Sequence, residues 1–171
     1  GAEVAETHSN WNYSRSLLYS WAVPYYHFGL RASMPLHRNF TAGAQLVNGW
    51  NNVKDNNSGK TLGLTGTVTT TKVTWSHTYY AGPEKSDTNR GYRHLYDTTL
   101  LVTPNDKASF YLNVDYGVDR RIAGGADTWK GVAGAARFAP SGWFAISPRL
   151  EWFGERVMRN VEILLANGII H

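Results

Sequence analysis

Lys107-Ala108-Ser109-Phe110-Tyr111-Leu112-Asn113-Val114-Asp115-Tyr116-Gly117 is the stretch whose reading decides the fold. Ala108, Phe110, Leu112, Val114 and Tyr116 alternate without a break with Ser109, Tyr111, Asn113 and Asp115. Successive side chains of a strand point to opposite faces, so one face of this stretch is apolar and the other polar. The stretch is also long for a strand of a soluble sandwich, where ~5 to 6 residues is usual.

The same period recurs on both sides. Toward the N-terminus, Tyr26, Phe28, Leu30, Ala32 and Met34 alternate with Tyr25, His27, Gly29, Arg31 and Ser33, predicting a strand over 25–36. Strands follow over 40–50, 60–68, 72–82 and 93–103, with Leu46, Leu62, Leu64, Trp75, Tyr79, Leu100 and Val102 on the apolar side and chiefly Gly and Thr on the other. Toward the C-terminus, 129–138 and 143–153 keep the spacing through Val132, Ala136, Phe138, Phe144, Ile146, Leu150 and Trp152.

The connections alternate in length. Residues 37–39, 69–71, 104–106 and 139–142 are tight, whereas 51–59, 83–92 and 118–128 are long and polar. Short and long connections therefore fall at opposite ends of the sheet. A strand of ~10 residues rising ~3.3 Å each and tilted ~40° spans about 25 Å, the height of an outer-membrane apolar band. Tyr25, Tyr26, Trp50, Tyr79, Tyr80, Tyr116, Trp129, Trp143 and Trp152 stand near strand ends, where aromatic girdles lie. The expected fold is all-β, an antiparallel up-and-down membrane β-barrel with about eight strands in this chain. A soluble barrel or sandwich is the rival.

Composition agrees. The chain is 42% hydrophobic, 18% charged and 13% aromatic, unlike a disordered chain. Seventeen basic against thirteen acidic residues is a mild excess with no basic run, so no nucleic-acid partner is expected. Cysteine is absent, which removes disulfides and thiolate metal sites. The apolar run Leu17–Val23 is too short for a transmembrane helix and contains Ser20. The polar start Gly1–Glu6 carries no signal segment, so the sequence is expected to be an internal piece of a longer one.

Several motifs carry a resemblance: 10–18 (NWNYSRSLL), 24–31 (PYYHFGLR), 46–52 (LVNGWNN), 55–61 (DNNSGKT), 93–98 (RHLYDT), 115–117 (DYG) and 147–153 (SPRLEWF). In this order, over residues 8–153, the chain resembles the β-barrel porin family described as OmpL-like. The resemblance implies an outer-membrane barrel and a pore for small polar solutes, and it brings no catalytic residues. On this reading residues 1–24 are an N-terminal loop or segment and 25–153 the barrel hairpins. Residues 154–171 form a tail that departs from the family pattern, with Val157, Val161, Leu164 and Leu165 at helical spacing.

Other chemistry finds little support. Ser58-Gly59-Lys60-Thr61 lacks the upstream glycine of a phosphate-binding loop, since Lys54 stands there. The run 51–59 misses the spacing of a calcium loop and suits a surface loop. Histidines at 8, 27, 37, 77, 94 and 171 form no metal-binding spacing. No cofactor or metal is expected, and with no nucleophile–base arrangement the chain is read as not an enzyme. An outer-membrane hydrolase using a pair among Asp97, Asp115 and Glu151 is the weakest alternative. Alternation makes Arg15, Arg31, Asp97, Asp115, Arg137, Arg149 and Glu151 the candidate lumen-lining residues, where rings of charge would select among solutes. The expected partners are outer-membrane lipid and small polar solutes, with a homo-oligomer left open. A non-conducting structural or binding barrel is the main alternative, because an eight-stranded barrel fills its own interior.

Overall fold

The computed structural model describes residues 1–4, 7–155 and 162–166. Among the described residues ten strands form one sheet: β1 Gly29–His37, β2 Phe40–Val47, β3 Thr61–Thr69, β4 Val73–Pro83, β5 Tyr92–Asn105, β6 Ala108–Arg120, β7 Ala126–Ser141, β8 Phe144–Ile146, β9 Arg149–Glu155 and β10 Glu162–Ala166. Each strand pairs antiparallel with the next, except that β8 and β9 both lie along β7. This is the expected up-and-down order.

The alternation read from the sequence sets the register. Leu30, Leu46 and Leu62 face one another across β1–β3, as Val68, Trp75 and Leu100 do across β3–β5. Leu112 is 46% exposed on the outward face, while its neighbour Asn113 is 2% exposed on the inner one. Two histidines interrupt the outward face, and each is paired there. His77 Nδ1 lies 2.7 Å from the Tyr96 hydroxyl, and His94 Nδ1 lies 2.8 Å from the Tyr79 hydroxyl. These hydrogen bonds lower the cost of placing polar rings on an apolar surface.

Residues of the N-terminal segment cover the inner face of β6, β7 and β9. The segment holds a 3-10 turn at Thr7–Ser9 and a single π-helical turn at Leu18–Ala22. Leu17, Leu18 and Ala22 pack with Ala133 and Phe153 in the main buried apolar cluster, edged by Val23, Tyr111 and Trp129. The close approach needs Gly131: a Cβ there would come within 2.7 Å of Leu18 Cδ1.

Four expectations are corrected. First, the strand expected over 25–36 begins at Gly29, because Asn51 Oδ1 takes the Tyr25 and Tyr26 amides, at 2.7 and 3.3 Å, away from ladder pairing. Second, the long loop expected over 118–128 shrinks to residues 121–125. β6 and β7 stay paired through Arg120 and Ala126, and Gly124 and Gly125 (φ +99° and +80°) make the turn. Third, the strand expected over 143–153 is split at Ser147-Pro148, where proline offers no N–H to the ladder although its carbonyl still accepts from Ala136 at 3.1 Å. Fourth, the tail read at helical spacing contains a strand, β10, in which Leu164 and Leu165 pair with Glu151 and Leu150 of β9. Val157 and Val161 lie outside the described residues.

The sheet is open among the described residues, since β1 pairs with β2 alone and β10 with β9 alone. The connections at one end pack together as expected. Asn57 Nδ2 donates to the Pro83 and Lys85 carbonyls at 3.0 and 3.1 Å, Asn89 Nδ2 to Ser58 Oγ at 2.8 Å, and Arg90 Nη2 to the Ile122 carbonyl at 3.4 Å.

Candidate functional site

The inner face of β5–β9 carries the charges, and the N-terminal segment is fastened to them. Arg149, on β9, directs its guanidinium at that segment. Nη1 donates to Glu3 Oε1 at 2.9 Å and to the Ser14 carbonyl at 2.8 Å; Nη2 donates to Ser14 Oγ at 3.1 Å and to the Arg15 carbonyl at 2.9 Å. Nε donates to Glu151 Oε1 at 3.2 Å, so all five N–H donors of the side chain are engaged. The two carboxylates reach on: Glu151 Oε2 accepts from the Leu17 amide at 2.7 Å, and Glu3 Oε2 from the Ser16 amide at 2.9 Å.

A buried charge is tolerated only when paired and hydrogen-bonded, and here each partner is. Trp129 Nε1 adds a bond to the Ala22 carbonyl at 3.0 Å, and Asn12 Nδ2 one to the Ser147 carbonyl at 2.5 Å. Trp129 can lie across β6 because position 117 is glycine; a Cβ there would stand 1.9 Å from the indole.

A second polar cluster lies one strand pair away. Asp97 and Asp115 face each other across β5 and β6, both buried, with Asn113 beside them. Asn113 Nδ2 donates to the Thr98 carbonyl at 3.1 Å, and Asn113 Oδ1 accepts from the Ala2 amide at 3.0 Å. The Gly1 amino group is 2.7 Å from Asp97 Oδ2.

Of the residues singled out from the sequence, Asp97, Asp115, Arg149 and Glu151 thus stand on the inner face beneath the N-terminal segment. Arg149 and Glu151 form one cluster, Asp97 and Asp115 another. Arg31 is exposed on β1, directly opposite Gln45 of β2 and apart from both clusters. Arg137 is exposed toward the tight-turn end, opposite Ser109, and lines a cavity of about 560 Å³. Arg15 belongs to the N-terminal segment, hydrogen-bonds the Val4 carbonyl and stacks 4.4 Å above the Tyr19 ring.

Sequence reading does not reveal Glu3, Ser14 or Ser16, and Trp129, expected in an aromatic girdle, instead turns to the inner face, where it edges the apolar cluster. The signal that could have found the segment is the apolar run Leu17–Val23, too short to span a membrane yet too apolar for a solvated loop.

Two cavities flank Gly1–Glu3. One of about 510 Å³ lies toward the tight turns, against β3–β5. The other, of about 240 Å³, includes His27, Tyr80 and Leu95. The N-terminal segment thus leaves open space on both sides of Gly1–Glu3.

No helix of the described residues is long and apolar enough to cross a membrane, which says nothing of a β-barrel. Comparison with curated proteins and with solved structures gives no match. The family model described as "Putative beta-barrel porin-2, OmpL-like" matches residues 1–168, including the tail whose pattern the sequence reading set outside that family. An all-β up-and-down sheet with an apolar outward face and a polar inner one is what such a match requires, and the chain belongs to this OmpL-like β-barrel porin family.

Proposed function

We propose that the chain forms wall of an outer-membrane channel through which small polar solutes pass without reaction, with residues 1–24 as the inward-folded constriction. The observation that carries this reading is the pair of cavities on either side of Gly1–Glu3, bounded by polar inner-face residues. A pore needs such water-accessible space beside a polar wall, and an apolar outward face suits lipid. Family membership supports the same reading.

The sheet must find partners for the free edges of β1 and β10 in a bilayer, because unpaired backbone groups each cost several kcal/mol in hydrocarbon. Further strands or a second copy would supply them.

A non-conducting barrel is the second reading, favoured by the buried Arg149–Glu3–Glu151 cluster, which holds the N-terminal segment across the inner face. Liposome swelling separates the two. Proteoliposomes carrying the protein should swell in arabinose faster than protein-free ones, whereas equal rates would leave the non-conducting barrel.

A further inference from the structure

The inner face is chemically two-sided. On β5–β9 the charged groups bind one another or the N-terminal segment. On β3–β5 the wall of the 510 Å³ cavity is built of hydroxyls: Thr65 and Thr67 of β3, Thr74, Ser76 and Thr78 of β4, and Thr99 of β5. The register lays them in rows, Thr65 opposite Thr78, and Thr67 opposite Ser76, which in turn faces Thr99.

Within this wall Thr67 Oγ1 and Ser76 Oγ bond each other at 3.3 Å. Thr65, Thr74 and Thr78 have no side-chain hydrogen bond among the described residues. Thr99 Oγ1 is shielded from solvent and has no partner either. The hydroxyls of this wall left to bond a molecule in the cavity are therefore those of Thr65, Thr74 and Thr78. Each hydroxyl can both donate and accept, which suits a solute whose own groups do the same.

Across the cavity stand Trp11 and Tyr111, their ring centroids 5.3 Å apart. Aromatic faces beside hydroxyl rows fit a molecule with apolar C–H faces and a hydroxyl rim. The cavity falls within the ~300–1,000 Å³ range of small-molecule sites. Its two acidic side chains are already engaged, Glu3 by Arg149 and Asp97 by Asn113 Nδ2 at 3.5 Å, and no arginine or lysine lines it. A solute carboxylate there would meet two carboxylates and find no lysine or arginine to pair with.

We infer that this cavity is a solute-binding station for neutral polyhydroxylated molecules, of the sugar class, held between the β3–β5 hydroxyl wall and the Trp11–Tyr111 rings. The inference rests on the channel reading but is tested by binding, not by conduction.

Maltotriose, and gluconate as an anionic polyhydroxy comparator, would be titrated by calorimetry into the folded protein in detergent. Saturable maltotriose binding is expected, with gluconate at least about tenfold weaker. The double variant Thr65→Val, Thr78→Val removes two hydroxyls at nearly unchanged volume. It should weaken maltotriose binding by about fivefold or more, the loss of one to two ordinary hydrogen bonds. Trp11→Ala should weaken it as well, independently of the sheet. Potassium chloride conductance is recorded in parallel. Conductance with no saturable maltotriose binding, or with gluconate bound as tightly, overturns the inference and leaves the channel. Maltotriose binding that the double variant leaves unchanged also overturns it. Maltotriose binding without conductance keeps the station and removes the channel.

Discussion

Arg149 joins residues far apart in sequence: Glu3 lies 146 positions away and Ser14 135. Removing one member of a buried ionic cluster leaves its partners charged and unpaired, which costs roughly 3–5 kcal/mol. Arg149→Ala should therefore lower unfolding stability in detergent by about that amount, measured by urea titration. Glu3→Gln, which keeps shape and one acceptor, should cost clearly less. A loss under about 1 kcal/mol in Arg149→Ala would show that the cluster does not hold the segment. On the other face of the sheet, Leu112 is exposed on β6 with no polar neighbour opposite, since it pairs with Leu100 and Gly134. Leu112→Lys should cost about 2–4 kcal/mol in a bilayer-supported unfolding assay if that face meets lipid near mid-membrane. Were that face in water, the substitution would be almost free.

At the scale of elements, what could be read from the sequence was whatever repeats with period two. β2, β3, β4 and β6 lie close to where alternation puts them, because the outward face is mainly apolar and a slip of one residue would reverse every side chain. Strand ends were harder. Tyr25–Phe28 continues the pattern, yet Asn51 captures its backbone, and no periodicity reports a side chain reaching from another loop. The spacing of β10 suits a helix as well, because an apolar pair such as Leu164-Leu165 fits either period over a few residues. The register itself is testable in a chain without native cysteine. Thr67→Cys, on the inner face of β3, should react with a small water-soluble maleimide, while Val68→Cys should stay protected in lipid. Equal labelling would place β3 in another register. Asn113 is a poor site for this test, since the N-terminal segment buries it.

At the scale of the whole molecule, the sequence revealed a two-faced sheet but not its internal segment. Of the charged positions that alternation assigns to the polar face, Asp97, Asp115, Arg149 and Glu151 stand on the inner face, buried beneath the N-terminal segment. Their partners were invisible, because Glu3, Ser14 and Ser16 meet β9 only after the sheet has formed and no local pattern links positions so distant. On the channel reading proposed above, the width of the passage depends on the N-terminal segment as well as on strand number. Loop ends should follow the same geometry: protease added outside intact cells should cut within 48–60 and 84–91 and spare 104–107. The most direct test of the account is single-channel conductance in planar bilayers, comparing the protein with its Arg149→Ala variant. The account predicts a larger and noisier conductance in the variant, as the released segment leaves the inner face. Identical conductance in two folded proteins, verified by their heat-dependent gel mobility, would contradict it.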